Sequence, residues 1–494
     1  MSVEKKPNIL FFMMDQLTPY AIEPYRKNMA ITPTMQSIAD EGIVFTNAYC
    51  NNPLCTPSRM SMMTGKYCSE INSFDNGSLL PADELCFTHL LKSSKYHTVL
   101  SGKMHFVGPD QEHGFSERLT TDVYPSGLDW STNWKDGVQG DKINGLFESG
   151  VVKWNKYLSY DSNATFQAQE WLRSYSRIDK INEDPFFMCV SLINPHHPYQ
   201  VPQEIWNMYD DRDIPLPEVD GNSVPTEDNS HEKWLRRSLE LEKFNISEEE
   251  IIKARRAYFG CTTFADQKLA ELMKTLEDLD LLEDTWIIIT SDHGDMIGER
   301  GLWYKKIFYE YSAKVPLIIK PPKGCGGIKS ELPVSLVDLF PTLMDITETE
   351  NEFEVSGESL LPILKGKEIK ERSVIMEYMG SSVLSPMRMV VKGNLKYVNI
   401  YTPQKTEELL FDLKEDPSEL NNIISDSDYM DDLEELRKAL VEDGWDGETL
   451  YEHILNDQKK RGLLRKSNQM NKETRWGFVP ESVDPYDKDR YRQR

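Results

Sequence analysis

Five short apolar runs, spaced by longer stretches of helical patterning, constrain this chain more than any other feature. They fall at residues 8–14, 97–103, 185–193, 286–291 and 315–320. Runs this short and this continuously apolar suit strands buried on both faces. The strongest helix signal covers residues 247–279. Ser247 and three glutamates mark its start, and Ile251, Ile252, Ala257 and Phe259 recur at helical intervals. Strands alternating with helices predict an α/β fold, with a largely parallel central sheet between helical layers. After about residue 370 the pattern changes to shorter strands at 373–378, 387–392 and 395–400, then an acidic helical stretch at 431–442. This predicts a smaller C-terminal subdomain with an antiparallel sheet.

The expected organisation is a catalytic domain over 1–370, the antiparallel subdomain over 371–458 and a basic extension over 459–494. That extension reads either as a frayed tail or as an arm docking on a neighbouring subunit of a homo-oligomer. Residues 210–234 and 347–354 read as polar connectors.

In open α/β sheets, ligands gather at the carboxyl ends of the strands. Asp15, Lys103, the 194–197 segment and Asp292 all lie just past such ends. A single strand-end aspartate is ordinarily a turn or cap residue. Two of them, with Gln16 and His293 alongside, make candidate ligands for a divalent cation. Oxygen ligands suit Ca²⁺ or Mg²⁺, and the imidazole shifts the balance toward Mn²⁺ while leaving Ca²⁺ open.

Cys55 is followed by Thr56-Pro57-Ser58-Arg59 and, further on, Thr64-Gly65. Pro57 and Ser58 predict the entry to a short helix with Ser58 as a cap, placing Cys55 just before an N-terminus that favours an anion. Cys55 read alone is equally a small buried hydrophobe or a reactive thiol. Arg59 adds a planar charged fork able to hold oxygen atoms at the site. Lys103 and His105, two apart, point the same way on an extended backbone. His196 and Lys305 are candidates for a proton or a positive charge, whereas His197 reads as a loop residue and Lys306 as solvated.

The net charge of -25 argues against nucleic-acid binding, which needs a basic surface. The apolar run near the start is too short for a membrane span or a signal-peptide core. Seven cysteines without a paired Cys-x-x-Cys spacing fit free thiols. The expectation is a cytoplasmic protein with no membrane partner.

Cys55-x-Pro57-Ser58-Arg59 with Thr64-Gly65, Met14-Asp15-Gln16 and Ser291-Asp292-His293-Gly294-Asp295 resemble the signatures of the formylglycine sulfatases of the alkaline phosphatase superfamily. The resemblance extends over most of the chain. Asp15-Gln16-Leu17-Thr18-Pro19, Ser101-Gly102-Lys103-Met104-His105-Phe106, Gly298-Glu299-Arg300-Gly301-Leu302-Trp303-Tyr304-Lys305 and Leu455-Asn456-Asp457-Gln458-Lys459 are similar to the choline sulfatases in particular. That family's histidine after the tryptophan-rich segment has no counterpart in residues 141–147.

The resemblance implies an alkaline-phosphatase-like three-layer sandwich, and a Cys55 oxidised to formylglycine by a maturation enzyme. The hydrated aldehyde is a geminal diol: one hydroxyl attacks sulfur, and loss of the other's proton later expels sulfate. It also implies a shell of Asp15, Gln16, the modified Cys55, Asp292 and His293 around Ca²⁺ or Mn²⁺. Lys103 and His105 would serve the transferring group or the diol, and His196 and Lys305 the leaving alkoxide. The implied substrate is a small sulfate ester with a quaternary ammonium group, held near Trp130, with Asn76 and Glu377 as further pocket candidates. A rival on the same scaffold is phosphonate monoester or phosphodiester hydrolysis. Another is an inactive homologue that keeps Cys55 as a thiol.

Overall fold

The strand Asn8–Asp15 is buried along its whole length, and its side chains divide strictly by parity. Ile9, Phe11 and Met13 enter one hydrophobic core, and Leu10, Phe12 and Met14 enter a second on the opposite face. The run lacks polar alternation because both faces of the pleat are covered. This computed structural model describes residues 6–470 except 125, 141, 178–183, 222–228 and 368–369.

The main sheet has eight strands, in the order Ile328–Ser330, Ile43–Phe45, Leu317–Lys320, Thr285–Ser291, Asn8–Asp15, Phe186–Pro195, His97–Gly102 and Glu117–Arg118. Asn8–Asp15 pairs in parallel with both of its neighbours, and His97–Gly102 continues the parallel set. The helices Lys156–Arg177 and Glu248–Asp278 contribute to one core, and Cys55–Thr64 and Leu339–Thr347 to the other. The expected α/β sandwich is therefore present. Ser247 caps the long helix as anticipated, accepting the Glu250 N–H while the Glu250 carboxylate accepts the Ser247 N–H.

The antiparallel unit is also present, as Val374–Tyr378, Met387–Lys392, Leu395–Ile400 and Glu407–Asp412. Its fourth strand is absent from the sequence reading, because its two leading glutamates mask a short apolar centre. Three other details differ. The run at 315–320 forms a shorter strand, Leu317–Lys320, antiparallel to both its neighbours. The connector expected over 210–234 ends early, since Ser230–Ser238 is a helix capped by Asn229; residues 222–228 lie outside the described residues. The boundary expected at 458/459 falls inside one helix, Gly447–Met470. Within it Arg461 makes a buried ion pair with Asp75 of the same chain, so this stretch docks on its own fold. The basic residues beyond 470 lie outside the described residues. Among the described residues no helix is long and apolar enough to cross a membrane.

Candidate active site

Cys55 is the first residue of the helix Cys55–Thr64, whose ten residues are all buried. It lies inside the helix rather than before it, and Ser58 is no cap: its hydroxyl donates to the Asp292 carbonyl oxygen. Leu54, at the cap position, offers no side-chain acceptor, so the free Thr56 N–H is satisfied from a distant loop by Asn76 Oδ1 at 3.0 Å. The helix stops at Gly65, left-handed at φ 68°, where an added Cβ would come within 2.9 Å of Phe340.

The strand ends bring the other groups to Cys55. Asp15 closes its strand, Lys103 follows Gly102, His196 follows Pro195 and Asp292 follows Ser291. Ligand atoms of Asp15, Cys55, Asp292 and His293 all lie within 4.8 Å of one another and are buried. Gln16 stands beside them with a buried Oε1 that has no hydrogen-bond partner. Two carboxylates, an imidazole nitrogen, a sulfur and an orphaned amide oxygen converging in a buried site fit a divalent cation.

Two lysines and two imidazoles, one of them His293 of the cluster itself, lie against Cys55 and Asp15. Lys305 Nζ is 3.1 Å from Cys55 Sγ and 3.9 Å from Asp15 Oδ1, and Lys103 is hydrogen-bonded to Asp15 Oδ2. His293 Nε2 is 3.3 Å from Cys55 Sγ, and His196 Nε2 is 3.9 Å from Asp15 Oδ1. Burial opposes ionisation of Cys55, yet Lys103, Lys305 and His293 together hold its thiol well below the ordinary value. Burial and Cys55 push Asp15 up, but Lys103, His196 and Lys305 outweigh them and keep it below the usual carboxylate range. Burial pushes the His105 imidazole down, favouring the neutral ring.

Arg59 is fully buried against this set. Its Nε donates to Asp292 Oδ2 at 2.8 Å and Nη2 to Asp15 Oδ2 at 3.1 Å, while Nη1 serves Lys103 O at 2.7 Å and Ser191 Oγ at 2.9 Å. The guanidinium thus ties the two strand-end carboxylates together.

An aromatic wall flanks the centre. The Tyr124 ring lies 4.5 Å from Lys103 Nζ, 5.0 Å from the His105 ring and 4.8 Å from the Trp130 ring, and its hydroxyl is 3.3 Å from that of Tyr157. Trp130, 41% exposed, sits at the rim in a T-shaped contact with the His105 ring at 5.2 Å. Trp130 thus lies at the rim of the centre, where Tyr124 and Tyr157, which the sequence alone does not single out, join it.

The other two expected pocket residues have partners within the fold. Asn76 caps the Cys55 helix, as above. Glu377 is fully buried, with its carboxylate accepting from Ser69 N and Ser69 Oγ at 2.8 Å each and 3.3 Å from Arg388 Nε. That carboxylate is taken up inside the fold instead of facing an ammonium group.

Two residues set aside as bystanders are part of the site's surroundings. His197 Nδ1 is 3.2 Å from Gln16 Nε2, and its ring stacks on His196 and Tyr304 at 4.2 and 3.8 Å. Lys306 is buried, with Nζ 3.4 Å from Ser382 Oγ. Asp161, also missed, accepts from Ile193 N, Asn194 N and Asn194 Nδ2, fixing the loop that carries His196.

A family model described as sulfatase matches residues 7–349, and one described as N-sulphoglucosamine sulphohydrolase, C-terminal, matches residues 298–444. Choline-sulfatase of Rhizobium meliloti (strain 1021) is 35% identical over 492 residues, covering 96% of this chain and 94% of its own. Arylsulfatase of Clostridium perfringens is 28% identical, covering 89% and 94%. Among solved structures, the phosphonate monoester hydrolase of Silicibacter pomeroyi has a TM-score of 0.72 at 21% identity, covering 88% of this chain and 95% of its own. An enzyme solved with D-glucosamine-2-N,6-O-disulfate has a TM-score of 0.71 at 24% identity, covering 91% and 99%. These structural likenesses concern the fold.

Proposed function

We propose, from the premise that this chain belongs to the sulfatase family, that it hydrolyses choline sulfate to choline and inorganic sulfate. The observation that carries this reading is the placement of Cys55 at a helix start, 3.1 Å from Lys305 and beside the Asp15, Asp292 and His293 cluster. The choline half rests on the Tyr124 and Trp130 faces, since a quaternary ammonium has no hydrogen to donate and is recognised by aromatic surfaces. The choline-sulfatase relative supports it.

Asp15, Gln16, Asp292 and His293, with the modified Cys55, would hold one Ca²⁺ or Mn²⁺, which supplies Lewis-acid polarisation of a sulfate oxygen. Formylglycine at Cys55, installed by a maturation enzyme, supplies a hydrate with one hydroxyl to attack sulfur and a second whose deprotonation releases sulfate. The remaining work belongs to side chains in place. Lys103 and Lys305 set positive charge where the sulfuryl group would transfer. His105, kept neutral by burial, accepts the proton of the second hydroxyl. His196 donates a proton to the departing alkoxide, because a simple alcohol leaves poorly without one. Arg59 acts from behind, holding Asp15 and Asp292 in register.

The six cysteines other than Cys55 form no disulfide, which suits a reducing cytoplasm. We read the assembly as a homo-oligomer, on the resemblance alone. The deciding experiment compares kcat/KM for choline sulfate, an aryl sulfate and a phosphonate monoester on natively matured protein. The reading requires choline sulfate to lead, and a clear lead for the phosphonate ester would replace it with the rival hydrolase.

A further inference from the structure

Gln16 is a planar amide with two unlike ends, and its surroundings discriminate between them. Its backbone is left-handed at φ 68°, with the N–H donated to Asp292 Oδ1 at 3.0 Å and the carbonyl accepting from Tyr258 Oη at 2.7 Å. This strained geometry fixes where the side chain starts. The amide nitrogen donates to Asp295 Oδ2 and faces His197 Nδ1. An ionised carboxylate only accepts, and a neutral imidazole accepts at the nitrogen without hydrogen. Asp295 Oδ2, which also accepts from Tyr199 Oη, takes the NH₂ end, His197 in its Nε2–H tautomer does the same, and the oxygen end, buried and without a hydrogen-bond partner, is left for the centre.

Asp295 is itself held on every side. Its Oδ1 accepts from Ile297 N at 2.9 Å and Tyr304 N at 3.0 Å, and its Oδ2 accepts from Tyr199 Oη as well as Gln16 Nε2. The residue belongs to the Ser291-to-Asp295 motif, but it lies outside the cluster of candidate ligand atoms around Cys55. The geometry points to Asp295 and His197 as positioning residues that orient the Gln16 carboxamide, so that its oxygen rather than its NH₂ is presented to the divalent cation. This rests on the metal reading above and deepens it. Outer partners that orient a ligand typically change metal affinity about 10- to 100-fold when removed.

The polarity of the Gln16–Asp295 contact makes a stringent test, because it can be reversed. Gln16→Glu sets two carboxylates against each other. Asp295→Asn presents its NH₂ either to Gln16 Nε2 or, flipped, to the Ile297 and Tyr304 amides. In the double variant the new amide oxygen at position 295 accepts from those two backbone amides, and its NH₂ donates to the carboxylate introduced at position 16. The Tyr199 hydroxyl can then accept instead of donating.

The measurement is binding of Mn²⁺ by EPR and of Ca²⁺ by calorimetry to chelator-stripped full-length protein, with far-UV circular dichroism confirming the fold. Each single variant should lose about tenfold or more in affinity, and the double should regain at least about tenfold over either single. Singles that bind like wild type, or a folded double that recovers nothing, overturn the proposal. His197→Phe keeps the ring stack but removes the acceptor, and covers the case in which a variant at 295 does not fold. It should bind several-fold more weakly, and unchanged binding overturns the role of His197. If wild type binds neither ion, the metal reading itself fails, an outcome distinct from all of these.

Discussion

Arg59→Lys keeps the charge of the buried centre while removing its geometry, so it isolates what the guanidinium fork contributes. Arg59 joins Asp292 Oδ2 and Asp15 Oδ2, which lie at the ends of two adjacent strands, and also serves Ser191 Oγ and Lys103 O. One ammonium on a flexible stem cannot span both carboxylates and both neutral acceptors at once. If one carboxylate contact survives, the losses are one charge-assisted bond and at least one bond to a neutral acceptor. At about 1.5–3 kcal/mol for bonds to charged groups and about 0.5–1.5 for neutral ones, the cost is about 2–4.5 kcal/mol. That is a large share of a typical stability of about 5–15 kcal/mol. Equilibrium urea unfolding in chelator should show the loss, and saturating Ca²⁺ should recover part of it by neutralising the same carboxylates. A loss below about 1 kcal/mol, or no recovery with the ion, would refute the view that Arg59 acts by tying Asp15 to Asp292.

Three further outcomes are expected. Trp130→Ala should weaken choline sulfate more than an aryl sulfate by about 0.5–2 kcal/mol in kcat/KM, the value of a cation over an aromatic face; equal losses would remove the aromatic wall from substrate recognition. Asp161→Ala strands the Ile193 and Asn194 amides and the Asn194 side chain. It should cost about 3 kcal/mol or more in unfolding free energy and depress kcat through the His196 loop, whereas undiminished kcat would show that the loop holds without it. Arg461→Met breaks the buried pair with Asp75, whose Oδ2 also accepts the Thr132 N–H just beyond Trp130. It should lower stability by about 3–5 kcal/mol and raise KM for choline sulfate, and an unchanged KM would detach the C-terminal helix from the pocket.

The convergence of the candidate residues was legible in the sequence for a physical reason. A parallel sheet delivers the residues after its strands to one edge, so Asp15, Lys103, His196 and Asp292 could be brought together from strand positions alone. The long helix was equally legible, since Ser247 and Glu250 carry its start locally. What escaped was set by contacts between distant segments. Arg59 reads as a free cationic fork until Asp15 and Asp292 are seen on either side of it. Glu377 reads as a candidate carboxylate until Ser69 and Arg388 enclose it. His197 reads as a loop residue and Lys306 as solvated because nothing in their own neighbourhood announces Gln16, Tyr304 or Ser382. Tyr124 and Tyr157 approach each other across 33 positions, with no local periodicity to couple them.

The central claim is that the nucleophile is an oxidised Cys55. Peptide mass spectrometry of natively matured, catalytically active protein tests it most directly. The account predicts the Cys55 peptide at the mass of the aldehyde or its hydrate, in proportion to specific activity across preparations of differing maturation. Full turnover by protein whose Cys55 peptide carries an intact thiol would contradict it.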